Sequence, residues 1–291
     1  MIPGAFTYLT PRSVPEALGF MQEHGDEAKI LAGGQSLIPL MRFRLAEPKY
    51  LIDINKIAGL SGVTMRDGYL AIGALTREVE LHNSPLIREH FPLLTDTAEV
   101  VADPLVRNLA TVGGNLAHAD PANDHPAAML ALRADIVATG PRGERVVPID
   151  NFFVDIFTTS LAPDELLTEI RIPLPPAHSG GAYVKFERKF GDYAIAATAA
   201  QLTLDADGTI DQAGIGLTNV GATPLRATQA EAILLGRQPS DAAVREAAEL
   251  AAQECNPSDD LRGTANYKRA MVRTMTQRAL RLAATRASVV G

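Results

Sequence analysis

Lys29-Ile30-Leu31-Ala32-Gly33-Gly34-Gln35-Ser36 reads as a short β-strand that runs directly into a glycine turn. Upstream, Ser13-Val14-Pro15-Glu16 carries the marks of a helix start, a capping box with proline in the first turn, and Val14, Ala17, Leu18 and Met21 share one apolar face. Downstream, a short helical crossover leads to a second strand at Tyr50-Leu51-Ile52-Asp53-Ile54. Residues 13–55 therefore predict a small parallel β-α-β unit with the glycine turn at the end of a strand. From Leu60 the pattern changes to strand pairs, the clearest being residues 61–64 and 69–73 joined across Asp67-Gly68. Helices are expected near 92–101 and 126–132, and strands near 135–139 and 166–172.

Pro173-Leu174-Pro175-Pro176, followed by Ser179-Gly180-Gly181, is the best linker in the chain. We place a boundary there, between an N-terminal domain of residues 1–176 and a C-terminal domain of residues 177–291. Beyond it, strands at 183–188, 194–204 and 209–219 form an antiparallel meander with Asp205-Ala206-Asp207-Gly208 as its second turn, and helices follow at 228–235, 242–254 and 267–285. Strands first and helices after make this part α+β.

The chain has 291 residues, 46% apolar and 21% charged, which excludes disordered, fibrous and disulfide-framework proteins. Cys255 is its only cysteine, so this chain alone builds neither a disulfide nor an iron–sulfur cluster, and redox chemistry would need a borrowed cofactor. The start Met1-Ile2-Pro3-Gly4-Ala5-Phe6 lacks a signal-peptide pattern, and no apolar run approaches the roughly 20 residues of a membrane helix, so a cytoplasmic protein is expected. The formal charge of -7 argues against a non-specific grip on nucleic acid. Seven of the 27 basic residues, and no acid, lie from Leu261 onward; with Val272, Met275, Ala279 and Leu282 at helical spacing, this reads as a packed helix with a charged face, or as a docking face for an acidic partner.

A second glycine pair, Thr111-Val112-Gly113-Gly114-Asn115, repeats the flanks of Ala32-Gly33-Gly34-Gln35-Ser36. Glycines without Cβ let consecutive backbone N–H groups converge on an anion such as a diphosphate, and Ser36 opening a helix adds a hydroxyl. One Gly-Gly is usually a turn; two with matching flanks suggest a shared ligand. P-loop and Rossmann spacings are absent, Gly214-Ile215-Gly216 lying inside a strand run, which favours a tightly held dinucleotide over ATP with magnesium. His118, Asp120, Asp124 and His125 admit a metal-cluster reading, but Asp124 before Pro126 also reads as a helix N-cap, or as an acceptor for ligand hydroxyls. Lys185 and Tyr193 flank a glycine turn amid cations: an exposed basic hairpin, or a ring and a cation placed beside a reduced flavin.

AGGQS, TVGGN and the downstream ADPANDHP resemble the two diphosphate loops of flavoprotein subunits in the molybdenum hydroxylase family. RKFGDYAIAA, GIGLTNVGATPL and SDDLRGTANYKRAM resemble its carbon monoxide dehydrogenase branch, and the likeness runs from MIPGAFTYLTP nearly to the C-terminus. The resemblance implies an α+β protein: a vanillyl-alcohol-oxidase (PCMH)-type FAD-binding domain of two α/β subdomains, then a C-terminal α+β domain. Carried over by position, Ala32, Gly33, Gly34, Gln35, Ser36, Thr111, Val112, Gly113, Gly114 and Asn115 would cradle the FAD diphosphate. Asp124 would meet the ribityl chain, and Lys185 and Tyr193 the isoalloxazine. Gln35 stands where carbon monoxide dehydrogenases often carry histidine, a departure that leaves a backbone cradle intact.

The implied role is electron transfer, with no acid–base catalytic residue in this chain. A large subunit with molybdenum–cytosine dinucleotide would oxidise substrate and a small subunit with two [2Fe-2S] clusters would relay electrons to FAD here, in a dimer of heterotrimers. The acceptor would be a quinone or the respiratory chain, reached at the inner face of the membrane through the complex. Other readings are a flavin subunit serving oxidation of an N-heterocycle or aldehyde, a stand-alone metal-dependent hydrolase, and a non-catalytic assembly subunit.

Overall fold

The computed structural model describes residues 2–289; Met1, which opens the first expected domain, and Val290 and Gly291, which close the second, lie outside the described residues. The chain opens with β1 (Thr7–Leu9), α1 (Val14–His24), β2 (Ala28–Leu31), α2 (Leu37–Arg42) and β3 (Tyr50–Asp53). Ser13 Oγ accepts from Glu16 N at 3.3 Å and fixes the start of α1, while the Glu16 carboxylate returns to Arg12 N at 2.7 Å instead of to the cap residue's own amide. The strands form a parallel sheet in the order β1-β3-β2. Apolar Leu51 and Ile52 place β3 at its centre, both buried, as the β-α-β pattern predicts. Strand β1 was not expected: three residues are too few to show alternation.

A second sheet begins with the hairpin β4 (Val63–Arg66) and β5 (Tyr69–Gly73). Six short helices follow: α3 (Glu78–Asn83), α4 (Pro85–His90), α5 (Pro92–Val100), α6 (Pro104–Arg107), α7 (Val112–His118) and α8 (His125–Ala131). Several start at proline, whose fixed φ suits a first turn, and α3, α4, α6 and α7 are too short to show helical periodicity. Then come β6 (Asp135–Gly140), β7 (Gly143–Pro148), β8 (Phe153–Asp155), β9 (Thr158–Thr159) and β10 (Leu166–Pro173). Strand β10 returns between β5 and β6, giving the antiparallel order β4-β5-β10-β6-β7, while β8 and β9 pair separately.

The remainder is a meander, β11 (Ser179–Phe186), β12 (Ala196–Leu204), β13 (Ile210–Thr218) and β14 (Leu225–Arg226), backed by α9 (Thr228–Leu234), α10 (Asp241–Glu254) and α11 (Ala265–Val289). Helix α11 buries Val272, Met275 and Ala279 as its spacing predicts, but Leu282 is 38% exposed and Leu280 and Ala283 take the core positions. Its basic residues are largely used within the chain, against the docking-face reading: Lys268 binds Asp260, Arg273 binds Glu249 and Arg281 binds Asp241. Near its end Arg286 reaches Asp96 at 2.6 Å and the Gly181 carbonyl at 2.6 Å, closing α11 onto α5 and β11.

Gly214 and Gly216 have a packing role. A Cβ on Gly216 would sit 1.9 Å from the Ala127 carbonyl oxygen, and one on Gly214 2.0 Å from that of Ala131, so β13 approaches α8 backbone to backbone. Gly216→Ala is therefore expected to cost about 1–3 kcal/mol, the usual penalty for overpacking. A thermal melt at unchanged midpoint would mean that α8 lifts off β13 without cost.

Candidate functional site

Every residue expected to touch a dinucleotide, except Val112, lines one cavity of about 920 Å³ between the parallel sheet, the α6–α8 segment and the 185–193 hairpin. Such a volume is the size of a large ligand site. The first loop leaves β2 through Gly34 at φ +73°, a conformation that glycine adopts freely. Among the described residues, the amides of Gly33, Gly34, Gln35 and Ser36 donate to no protein acceptor, so they are free for a ligand. Ser36 makes no side-chain cap to the six-residue α2, which leaves its hydroxyl free at the cavity wall.

The second loop is built differently from the expectation of converging amides. Val112 N donates to Thr76 O at 3.0 Å, Gly113 N to Ala74 O at 3.0 Å, Gly114 N to Thr111 Oγ1 at 3.2 Å and Asn115 N to Thr111 O at 2.9 Å. Thr111 thus spends its hydroxyl on capping α7, and Val112 points into the core, fully buried. What this loop offers is a glycine surface and the Asn115 side chain, whose Oδ1 is buried without a partner. The two loops touch: a Cβ on Gly33 would lie 2.5 Å from the Leu109 carbonyl oxygen.

Asp124 is buried and occupies the N-cap position of α8, but its carboxylate makes no capping hydrogen bond and turns instead to Tyr183 and Lys185. It accepts from Tyr183 Oη at 2.7 Å and from Lys185 Nζ at 3.0 Å, and Lys185 also donates to Val100 O at 3.0 Å. The Lys185 side chain is 2% exposed, so the exposed-hairpin reading fails for it. Burial holds the Asp124 carboxyl above the usual carboxylate range against the opposing pull of Lys185 and Tyr183. Burial also pushes the Tyr183 phenol well up, helped by the Asp124 charge.

His118, Asp120, Asp124 and His125 do not assemble as a metal centre, and among the described residues no group of three or more His, Cys, Asp or Glu is placed to hold an ion. His125 turns into the core, where its Nε2 meets Glu78 Oε2 at 2.6 Å with both side chains fully buried. Burial alone would lower that imidazole, but the Glu78 charge and hydrogen bond outweigh it and hold it up. His118 faces the cavity beside Phe157, its imidazole lowered by burial. Cys255 is buried, its thiol donating to Ala251 O and pushed up to about 12 by burial, far from a reactive thiolate.

Tyr193 stands at the cavity lip, 41% exposed. Arg262, read from sequence only as part of a basic tail, sits 5.4 Å over its ring and bonds Asp192 at 3.1 Å, so the turn before α11 steadies the hairpin tip. Tyr183, Asn55 and Arg77 were likewise not singled out; alternation along β11 could have paired Tyr183 with Lys185 on one face.

A family model described as "FAD binding domain in molybdopterin dehydrogenase" matches residues 4–175, and one described as "CO dehydrogenase flavoprotein C-terminal domain" matches residues 181–283. The chain is 44% identical to the carbon monoxide dehydrogenase medium chain of Hydrogenophaga pseudoflava, over 97% of this chain and 98% of that one. It is 41% identical to the 6-hydroxypseudooxynicotine dehydrogenase complex subunit alpha of Paenarthrobacter nicotinovorans, over 99% and 97%. Its fold matches a solved carbon monoxide dehydrogenase chain from Hydrogenophaga pseudoflava at a TM-score of 0.96 and 46% identity, covering 98% of this chain and 99% of that one.

Removing the lysine tests the buried pair. Lys185→Met leaves the buried Asp124, and Glu187 3.3 Å from the ammonium, uncompensated and should destabilise the protein by about 3–5 kcal/mol at neutral pH. Without the lysine, burial raises the Asp124 carboxyl further, so the penalty for its unpaired charge is present at neutral pH and is relieved as falling pH protonates it. The deficit should therefore shrink between pH 7.5 and pH 5 in denaturant titrations; a deficit that grows on acidification would overturn the assignment.

Proposed function

Because this chain belongs to the family of FAD-binding medium subunits of the molybdopterin dehydrogenases, we propose that it is the flavin-carrying electron-transfer subunit of a molybdenum-containing carbon monoxide dehydrogenase. The observation that carries the reading is the cavity itself: two touching glycine loops, one with free amides, facing a buried carboxylate and a cavity-lip tyrosine. The residues fit FAD. The unpaired Asn115 Oδ1 and the free amides of Gly33 to Ser36 match a ligand that both donates and accepts, and the volume suits a dinucleotide.

Bound FAD supplies a carrier that takes electrons singly and holds two. The chain's own residues would hold and shield it. The amides of Gly33, Gly34, Gln35 and Ser36 would bind the diphosphate, with the Gly113-Gly114 surface opposite allowing close approach. Asp124, kept in place by Tyr183 and Lys185, would accept from ribityl hydroxyls. Tyr193, braced by Arg262, would cover the flavin ring at the lip, while Lys185, held between Asp124 and Glu187, would lie at the same end.

Electrons would arrive from the [2Fe-2S] clusters of a small subunit, which receives them from a large subunit holding molybdenum–cytosine dinucleotide. They would leave to a quinone or respiratory acceptor, the assembly being a dimer of heterotrimers in the cytoplasm at the inner face of the membrane. No described helix is long and apolar enough to cross a membrane. The division into residues 1–176 and 177–291 would separate the FAD-binding part from the part that supplies Lys185 and Tyr193. A second reading, service to the oxidation of an N-heterocycle, is favoured by the 41% identity to the 6-hydroxypseudooxynicotine dehydrogenase subunit.

The test is the visible spectrum of the chain purified with its natural partners, recorded anaerobically before and after carbon monoxide. Flavin and iron–sulfur bands that bleach with the gas support the proposal; bands that bleach only with dithionite move the substrate to the second reading; absence of flavin overturns both. Gly114→Val, whose side chain would start 2.6 Å from Thr111 Oγ1 at the cavity wall, should lose most bound FAD while remaining folded.

A further inference from the structure

We propose that Arg77 and Asn55 are positioning residues that fix the gap between the two glycine loops, and so the grip on a diphosphate; the inference rests on the FAD reading above. The backbone around Arg77 belongs to the second loop. Arg77 bridges Thr111 in antiparallel fashion, Val112 N donates to Thr76 O at 3.0 Å, and Glu78 N donates to Ala110 O at 3.0 Å. The side chain runs the other way. Arg77 Nη2 donates to Asn55 Oδ1 at 2.6 Å, and Nη1 donates to the Leu109 carbonyl oxygen.

Asn55 completes the link to the first loop. Its Nδ2 donates to Ala32 O at 2.8 Å, immediately before Gly33, and to Asp53 Oδ1 at 2.6 Å. Asp53 also accepts from Asn55 N at 2.9 Å and from the Tyr8 hydroxyl. Burial opposes ionisation of Asp53, yet these hydrogen bonds hold it below the usual carboxylate range, so it stays a charged anchor. Both ends of the Asn55 amide are thereby occupied and its orientation is set. The strap runs Leu109–Arg77–Asn55–Ala32, anchored through Asp53 at the end of β3 and Tyr8 in β1.

Contact and strap limit the loops from opposite sides. Gly33 against Leu109 and Ala110 sets how near the loops come; the strap sets how far they part. Because only the first loop has free amides, a diphosphate must meet those donors and the Gly114–Asn115 surface at one separation, and a preset gap spares the ordering cost of binding. The planar guanidinium serves both Asn55 and Leu109 in fixed geometry, which a lysine ammonium does not reproduce.

The experiment uses the full chain purified with its partners, stripped of cofactor, comparing wild type with Arg77→Ala, Arg77→Lys and Asn55→Ala by titration with FAD, ADP and riboflavin. Arg77→Ala, which removes two of these hydrogen bonds, and Asn55→Ala, which removes three, should each weaken FAD and ADP by about tenfold or more. Riboflavin, which lacks the diphosphate, should bind as in wild type, and Arg77→Lys should recover little although it keeps the charge. Hydrogen exchange of the cofactor-free protein should quicken at residues 32–36 in both alanine variants and stay unchanged at 196–204. Equal ADP affinity with unchanged exchange overturns the strap, as does an equal loss for riboflavin, which marks general unfolding. A wild type that binds neither FAD nor ADP instead fails the FAD reading, and the exchange arm then judges the strap alone.

Discussion

Gly33 lies so close to the carbonyl of Leu109 and the Cα of Ala110 that no side chain fits between them. This backbone-to-backbone approach joins a parallel sheet to an antiparallel one, and the cavity exists because the two halves meet there and separate on either side. The parallel unit contributes the loop after β2, where the strand end leaves amides unspent; the antiparallel part contributes a loop whose amides hold it to the Ala74–Thr76 segment. One wall is therefore a donor surface and the other a rigid, smooth one.

The third wall carries the charge. Asp124 is buried, and a buried carboxylate is tolerated only with partners, here Tyr183 and Lys185 on the same face of β11. That places the determinants of one ion group on α8 and β11, far apart in sequence, so the meander after the linker is part of the site as well as a separate layer. Beneath it, His125 and Glu78 pair in the core and tie α8 to α3.

Much of this was legible in the residues. The β-α-β unit, the hairpin across Asp67-Gly68, the meander and the last three helices follow from periodicity and turn chemistry, and the matching glycine pairs identify the cavity walls. The rest was hidden for physical reasons. Strand β1 and helices α3, α4, α6 and α7 are held by tertiary contacts instead of local pattern. Sequence symmetry between AGGQS and TVGGN suggested equal roles, whereas Thr111 caps a helix and Ser36 does not. Arg77, Asn55 and Arg262 act through partners between 22 and 70 positions away, which no local window reveals.

Arg286 binds Asp96 across 190 residues of sequence. During synthesis from the N-terminus, the Asp96 carboxylate and the seam between α5 and β11 wait for a partner made 190 residues later, and Arg262 reaches Tyr193 only shortly before it. The order of translation thus leaves the mouth of the cavity unbraced until the turn before α11 has been made, long after both glycine loops are present.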